Sequence, residues 1–283
     1  MKRLVIDTST GGLDYYPFDH HVKMIRIKIF MNDKVYQDGL DLKADQFYAL
    51  LREQPSLVPK TSQPSVGEII SFFESLYEEG YGSFFVTTIA SVLSGTYNAL
   101  KLAADELKDR MEIRVFDTKT VCFSEGLFAL EADKLLQKGK SFDEIEKHLS
   151  DMRQKNTIFF AVDSLTHLVN NGRLSGAQAF VGKLLKIKPI LQVQESGHIV
   201  SIEKIRTIKH ALSSIASKVS AYANGRPFDA YILYTGNPKL RDYFVETLRE
   251  ELGLENLYEA PSTPVVGAHI GPDVIGVGIF IKE

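Results

Sequence analysis

The chain has 283 residues, with 33 lysines and arginines against 36 aspartates and glutamates, and 44% of its residues are hydrophobic. This composition is typical of a folded globular protein and excludes a disordered one. The formal net charge of -3 lacks the basic excess that binding to a phosphate backbone requires. We therefore expect no nucleic-acid partner.

The single cysteine and the short apolar runs favour a cytoplasmic protein. Cys122 has no partner for an internal disulfide, as is usual in a reducing compartment. At the amino terminus only Leu4, Val5 and Ile6 precede a polar turn, whereas a secretory signal has roughly 7 to 15 apolar residues in a row. The apolar run at 274–281 is also well below the ~18 residues of a membrane span. We expect no membrane span.

Strands alternate with helices over the first half of the chain. Apolar runs predict strands at 4–6, 84–90, 113–116 and 158–162, and the alternation of Ile25, Ile27 and Ile29 with charged residues predicts another. Helical patterns follow at 44–53, 99–107 and 127–136, and after the capping boxes that begin at Ser65 and Ser141. This order predicts a mostly parallel sheet with helices on both sides.

The pattern changes after Asp163. Two apolar strands at 187–193 and 198–205 flank a glycine turn and predict an antiparallel hairpin. A helix at 208–223, a strand at 231–234, a helix at 237–253 and a strand at 274–281 follow. We predict an α/β protein of two domains, 1–163 and a smaller 164–283 with antiparallel strands, which leave a crevice between them.

Two hydroxyl-rich segments stand next to predicted helices. Ser94, Gly95 and Thr96 lie between a strand and a helix, where free amides and the helix dipole can hold a carboxylate or a phosphate. Thr61 and Ser62 precede the helix after Ser65. Both segments also suit ordinary helix capping, which involves no ligand. If both lie at the carboxyl ends of strands in one parallel sheet, they share the place where open α/β sheets bind ligands.

Three further side chains are candidates for a site. His269 lies between Gly267 and Gly271, and glycine-rich loops bring side chains close to a ligand. Arg173 lies in a predicted loop before a helix that Ser175 would cap, and Arg206 begins the helix at 208–223. An arginine pairs with a protein carboxylate or with an anionic ligand or partner, and charge alone leaves both open.

Known catalytic and metal patterns are missing from the sequence. The residues two before and two after Ser94 are Val92 and Thr96, not the glycines of a nucleophile elbow. No phosphate-binding loop with its lysine and following hydroxyl occurs, and neither does a His-Glu-x-x-His or a paired-cysteine pattern. We therefore expect neither a metal nor a nucleotide cofactor.

Seven short motifs in one order resemble the DegV family, the bacterial fatty-acid-binding proteins that serve as subunits of fatty acid kinase. The resemblance covers essentially the whole chain, although Asn171 stands where the family has a glycine. The motifs are Asp7-Thr8-Ser9-Thr10, Thr61-Ser62-Gln63-Pro64-Ser65, Ser94-Gly95-Thr96-Tyr97, Gly172-Arg173-Leu174-Ser175, Ile187-Lys188-Pro189-Ile190-Leu191, Arg206-Thr207 and Gly267-His269-Gly271-Pro272.

The resemblance implies that a long-chain fatty acid such as palmitate lies in an apolar tunnel between the domains. It implies that Thr61, Ser94 and His269 bind the carboxyl group. Ser62, Gly95 and Thr96 would shape this cradle, Arg206 would lie near the mouth, and Arg173 would meet the kinase on the surface. The implied protein is non-catalytic: it presents the carboxyl group to an ATP-dependent fatty acid kinase and carries the acyl phosphate onward, with an acyltransferase as a further partner.

Two other functions stay open at this point. A hydrolase or acyltransferase would use Ser94 as nucleophile and His269 as base, and would also need a group that orients the histidine and an oxyanion site. A regulator that binds another small anionic ligand would differ from a lipid carrier mainly in the length of its pocket.

Overall fold

The computed structural model describes residues 1–176, 187–255 and 257–282. The helix expected after Ser175 therefore lies outside the described residues. In chain order the strands are β1 (Lys2–Thr8), β2 (Lys23–Ile25), β3 (Lys28–Met31), β4 (Lys34–Gln37), β5 (Lys60–Ser62), β6 (Tyr81–Thr88), β7 (Glu112–Asp117), β8 (Asn156–Ala161), β9 (Lys188–Val193), β10 (Ile199–Ile205), β11 (Phe228–Tyr234), β12 (Tyr258–Pro261) and β13 (Ile275–Ile281).

The α-helices of the described ranges alternate with these strands. They are α1 (Ala44–Glu53), α2 (Val66–Glu78), α3 (Thr96–Leu107), α4 (Phe123–Gln137), α5 (Phe142–Arg153), α6 (Thr166–Asn170), α7 (Ile208–Ala223), α8 (Pro238–Leu252) and α9 (Pro264–Ile270). None of the helices in the described ranges is long and apolar enough to cross a membrane.

The amino-terminal sheet is parallel and has the strand order β2-β1-β6-β7. On one face, Ile6 and Val86 pack with α2 and α3, and on the other Val5 and Phe85 pack with α4 and α5. Both faces of its two central strands are buried, which is why these strands read as continuous apolar runs rather than alternating ones. The predicted parallel sheet with flanking helices is confirmed.

The second sheet is mixed and has the strand order β10-β9-β8-β13-β11-β12. The predicted antiparallel hairpin is confirmed as β9 and β10. Helices α7 and α8 cover one face through Leu212, Ile215 and Phe244. The opposite face turns towards α4 and the amino-terminal sheet.

The placement of β8 corrects one expectation. We expected the strand at 158–162 to continue the parallel sheet, but β8 pairs antiparallel with β9 and β13. Its residues are buried on both faces between these two neighbours, and burial alone does not tell a parallel strand from an antiparallel one. Sheet membership thus changes before β8, while the boundary at Asp163 between two domains stays a prediction.

A small antiparallel sheet, with the order β4-β3-β5, corrects a second expectation. The residues at 25–29 form two strands in different sheets rather than one. The chain leaves the parallel sheet at Arg26, whose Nη2 donates to Asp14 Oδ1 at 2.9 Å, and the amide of Ile27 donates to Ser9 Oγ at 3.2 Å. These side-chain partners replace strand pairing and break the period-two pattern.

The predicted helix starts are confirmed where they have polar caps. Ser65 Oγ accepts from the amide of Glu68 at 3.3 Å, and Ser141 Oγ accepts from the amide of Glu144 at 3.2 Å. In both capping boxes the glutamate side chain accepts a hydrogen bond from the backbone amide of the cap residue. Each cap contributes about 1 kcal/mol, which fixes where α2 and α5 begin.

Candidate functional site

A cavity of about 300 Å³ lies between the sheets and is mostly apolar. This is near the lower end of the roughly 300 to 1,000 Å³ of small-molecule sites. Its apolar walls are formed by Ile27, Ile89, Leu93, Val121, Cys122, Ile158, Phe160, Leu168, Val193, Ile199, Leu233, Val265, Val266 and Ile270. Its polar side chains are Thr10, Thr61, Ser62, Gln63, Ser94, Thr96, Arg173 and His269.

Thr61 and His269 meet in this cavity although 208 residues separate them. Thr61 Oγ1 and His269 Nε2 form a hydrogen bond of 2.7 Å. Thr61 lies in β5, opposite Ile29 of the small antiparallel sheet. The expectation that both hydroxyl segments follow strands of one parallel sheet is therefore wrong for Thr61. It holds for Ser94, which follows β6.

His269 lies in the last turn of α9 and not in the expected glycine-rich loop. Pro264 at the first helical position starts the helix, and Gly267 allows it to pack closely. A Cβ atom at Gly267 would lie 2.4 Å from the hydroxyl of Tyr48, which is fully buried. The glycine is thus a packing requirement between helices, and it holds the histidine at the cavity wall.

A buried carboxyl group from another part of the chain caps α9. Asp38 Oδ1 accepts from the amide of Val265 at 3.1 Å, whereas the cap residue Thr263 makes no side-chain cap bond. Burial raises the pKa of Asp38 from 3.8 to about 7, and Ser9 and Val265 oppose this through hydrogen bonds. The orientation of the helix that carries His269 therefore depends on Asp38.

The imidazole of His269 is neutral at neutral pH. Burial, together with the positive charge of Arg173, lowers its pKa to about 4. Among the described residues, its Nδ1 atom has no hydrogen-bond partner. The ring can therefore form hydrogen bonds without carrying a charge, and it is a weak base.

Ser94 and Thr96 form the second hydroxyl pair. Their oxygens lie 2.8 Å apart, and the amide of Thr96 donates to Ser94 Oγ at 3.3 Å. The cap residue of α3 is Gly95, without a side-chain cap bond, so the simple interpretation of Ser94 as the N-cap residue is wrong. Ser94 instead lies one residue before the cap and lines the cavity.

Gln63, which stands in the motif that begins at Thr61, is a cavity residue for which we predicted no role. A Cβ atom at Gly95 would lie 2.1 Å from Gln63 Oε1, so the glycine makes room for this carboxamide. Ser62, which is exposed, donates to the carbonyl of Gln63 at 3.0 Å. The segments around Thr61 and Ser94 are therefore in direct contact through Gln63.

The two arginines differ in their relation to the cavity. Arg173 is half-buried and lines the cavity, and its Nε donates to the carbonyl of Leu93 at 3.2 Å. Asn171 holds this turn, since its Nδ2 donates to the carbonyl of His167 at 2.8 Å. Arg206 is exposed after β10 and is not one of the described residues that line the cavity.

A buried acid pair lies behind Thr10 and was not expected from the sequence. Thr10 Oγ1 donates to Glu125 at 2.7 Å, Thr8 also donates to Glu125, and Thr87 Oγ1 donates to Asp7 Oδ1 at 2.8 Å. Burial raises the pKa of Asp7 to about 7. Burial and the charge of Asp7 raise the pKa of Glu125 well above its usual value, so the pair holds a proton at neutral pH.

Comparisons with known proteins match this architecture along its full length. A model of the family described as "Uncharacterised protein, DegV family" matches residues 2–282. The chain belongs to the DegV family. Protein DegV of Bacillus subtilis is 33% identical over 283 residues, which cover 98% of each chain.

Solved structures of other family members superpose on this DegV-family chain. A fatty-acid-binding DegV family protein of Streptococcus agalactiae gives a TM-score of 0.89 at 30% identity and covers 100% of both chains. DegV of Bacillus subtilis, described as a fatty-acid-binding protein, gives a TM-score of 0.85 at 31% identity over 100% of both chains. The predicted family and α/β fold are confirmed. In the described residues, no group of three or more histidine, cysteine or acidic side chains is arranged to hold a metal ion.

Proposed function

We propose that this protein binds a long-chain fatty acid, such as palmitate, with its carboxyl group at Thr61, Ser94 and His269 and its tail along the apolar walls between the sheets. The hydrogen bond of 2.7 Å between Thr61 and His269 in an otherwise mostly apolar cavity carries this proposal. The solved relatives of Streptococcus agalactiae and Bacillus subtilis, which are described as binding fatty acids, support it.

The contacts of the two hydroxyl groups leave their protons available to a ligand. If His269 Nε2–H donates to Thr61 Oγ1, the Thr61 hydroxyl donates to an acceptor in the cavity. In the same way, if the Thr96 hydroxyl donates to Ser94 Oγ, as the Thr96 amide does, the Ser94 hydroxyl keeps its own proton for the ligand. Two donors on one cavity suit the two oxygens of a carboxylate.

The positive charge of Arg173 completes the environment of the head group. Its guanidinium lies close enough to lower the pKa of His269, and it lines the same cavity. An anionic head group beside this half-buried charge does not require a fully buried lysine as its partner. Burial of such a lysine would cost the free energy of its hydration. The site would also accept the larger charge of an acyl phosphate. Ser62, Gly95 and Thr96 shape the cradle in this proposal.

The hydrocarbon tail supplies most of the binding free energy. Each buried methylene contributes about 0.8 kcal/mol, so a chain of sixteen carbons binds tightly even after it loses conformational freedom. The apolar side chains of the cavity come from both large sheets, for example Ile89 after β6 and Phe160 in β8. We propose that the tail passes between them in a tunnel.

The protein then presents the carboxyl group to a separate ATP-dependent fatty acid kinase and carries the acyl phosphate to an acyltransferase in the cytoplasm. It acts as a non-catalytic subunit in this proposal. Arg173 keeps its proposed contact with the kinase, now from the rim of the cavity. Arg206, which is exposed, contacts the anionic group or the partner near the mouth.

The geometry disfavours the alternative of a Ser94/His269 hydrolase. The Nε2 atom of His269 is bonded to Thr61, and no described residue hydrogen-bonds to Nδ1 to orient the ring as a base. A pKa of about 4 also makes this imidazole a weak base at neutral pH.

Phosphorylation of bound palmitate tests the proposed function. Purified protein is stripped of lipid, loaded with palmitate, checked by native mass spectrometry and incubated with kinase and ATP. We expect the wild type to carry one palmitate and to yield acyl phosphate, and His269→Ala to lose most of that yield. The matched control is His198→Ala, which alters an exposed histidine of the β9–β10 turn. A protein that binds no fatty acid, or a His269→Ala variant phosphorylated like the control, would contradict the proposal.

A further inference from the structure

A second concave site, which we call the aromatic groove, lies directly behind the cavity. It has a volume of about 640 Å³ and is lined by the rings of Tyr16, Phe18, Phe123, Tyr231, Tyr258 and Phe280. The rings of Phe123 and Tyr258 lie 4.5 Å apart, and those of Phe123 and Tyr16 lie 5.7 Å apart. Phe18 is 68% exposed, so the groove opens at the surface.

The cavity and the aromatic groove occupy successive rows on one face of the six-stranded sheet. Leu233 and Phe160, which line the cavity, stand in one row with Gly276 between them. Phe280, which lines the groove, stands four residues further along β13 and points to the same face. Rows two residues apart are about 6.6 Å apart, so the two sites are neighbours.

The row between them forms a partition. In this row Tyr231 stands opposite Gly278, and Gly278 stands opposite the cavity residue Ile158. A Cβ atom at Gly278 would lie 2.2 Å from the ring of Tyr231, so this ring lies flat across the bare strand. The hydroxyl of Tyr231 accepts from the amide of Ser124 at 2.9 Å, which fixes the ring.

Phe123 closes the rest of the partition. Cys122 lines the cavity, and the next residue, Phe123, lines the groove. The Phe123 ring lies 5.2 Å from the ring of Tyr231 and is buried. Unlike Tyr231, Phe123 has no polar atom that ties its side chain to the backbone. Its position in the partition depends on ring packing and not on a side-chain hydrogen bond.

The charges around the aromatic groove decide which end of a lipid can reach it. The groove is lined by four carboxylates, from Asp19, Glu131, Asp133 and Asp229. Glu131 pairs with Lys134 and Asp229 pairs with Lys282, so the carboxylates outnumber these lysines by two. The negative charge of the groove would repel a fatty-acid carboxylate. An uncharged methyl end would instead leave water and pack against the aromatic rings, which is favourable. The groove thus suits the tail of a chain whose head lies at Thr61 and Ser94.

We propose that Phe123 sets the upper limit of acyl-chain length and that the aromatic groove accepts the methyl end of longer chains when this ring is displaced. This inference rests on the proposed function. The occupant follows from the continuity of one sheet face through both sites and from the charge of the groove. Phe123 is in this view a specificity-determining residue, distant from the carboxyl group.

A chain-length series tests the inference. Delipidated wild type and Phe123→Ala are titrated with fatty acids from hexadecanoate to docosanoate. Each newly buried methylene adds roughly a factor of four in affinity, so we expect Phe123→Ala to favour docosanoate over hexadecanoate at least about tenfold more than the wild type does. Phe128→Ala is the matched control, because Phe128 is buried in the same helix and lines neither site.

A double variant separates the groove from a merely larger cavity. Leu127 lines the groove, and Leu127→Trp in the Phe123→Ala background should fill it and return the preference to that of the wild type. The inference would be overturned if Phe123→Ala showed no shift towards docosanoate, or if the shift remained in the double variant. Binding of hexadecanoate in those cases would leave the proposed function intact. If Phe123→Ala does not fold, Phe123→Leu provides the same comparison with a smaller shift. A wild-type protein that binds none of these fatty acids would instead contradict the proposed function.

Discussion

Two polar clusters lie beside the cavity, and they differ in how their hydrogen bonds are used. Asp7 and Glu125 are fully buried, and hydroxyls of Thr8 and Thr10 donate to Glu125. The cluster around Thr61, Ser94 and His269 is only partly buried and lines the cavity. The donors of Thr8 and Thr10 are thus used inside the protein, whereas Thr61, Ser94 and His269 stand where a ligand in the cavity can reach them.

Removal of a carboxyl group from the buried cluster should have the largest effect. Glu125→Ala leaves the hydroxyls of Thr8 and Thr10 without their acceptor in a fully buried site. We expect the free energy of unfolding to fall by roughly 3 kcal/mol, measured by urea denaturation. Glu125→Gln keeps an acceptor of the same shape and should lose clearly less. An equal fall in the free energy of unfolding in both variants would show that the lost hydrogen-bond acceptor does not cause the destabilisation.

The buried carboxyl group of Asp38 should make stability depend on pH. The folded state raises its pKa from 3.8 to about 7, so the folded chain holds a proton that the unfolded chain releases. The contribution is complete below 3.8 and is lost as the pH rises to about 7.

Asp38→Asn isolates this contribution. The amide oxygen can still accept from Val265 but does not titrate. The free energy of unfolding of the wild type, measured relative to that of Asp38→Asn, should fall as the pH rises from 3.8 to about 7. The fall is at most about 1.4 kcal/mol per pH unit. Asp14 and Arg26, which act on Asp38 in opposite directions, are unchanged in both proteins. A difference that stays constant over this pH range would contradict the assignment.

Substitution in the cluster that we propose to bind the carboxyl group should change affinity rather than stability. Ser94→Ala removes one donor to the carboxylate, and a hydrogen bond to a charged group contributes about 1.5 to 3 kcal/mol. We expect palmitate to bind at least about tenfold more weakly by isothermal titration calorimetry, with the unfolding midpoint unchanged. Ser91→Ala is the matched control in the same turn, since Ser91 Oγ donates to Asp117 at 2.6 Å away from the cavity. A similar loss in both variants would remove Ser94 from the binding site.

The sequence predicted most of the fold because its local signals agree with the structure. The capping boxes at Ser65 and Ser141 mark helix starts, and the apolar strands alternate with helices. It did not predict the partners of β8, because a strand buried on both faces has the same pattern in a parallel and a mixed sheet. It also placed His269 in a loop, because the packing of Gly267 against Tyr48 depends on a distant helix.

The candidate site was predictable in its residues but not in its connections. Thr61, Ser94 and His269 stand out in short motifs, and the structure places all three on one cavity. The motif that contains Gln63 did not indicate its contact with Gly95, and nothing in the sequence indicated that Glu125 of α4 meets Asp7 of β1. These contacts join residues far apart in the chain, and their meeting follows from the tertiary structure rather than from local patterns.

A crystal structure of the delipidated protein reloaded with palmitate would locate the head group and the tail. We predict density for the carboxyl group within hydrogen-bond distance of both Thr61 Oγ1 and Ser94 Oγ, with the hydrocarbon chain passing Ile158 and Leu233 towards Phe123. A head group located elsewhere, or a cavity that closes around its own side chains and excludes the lipid, would contradict it.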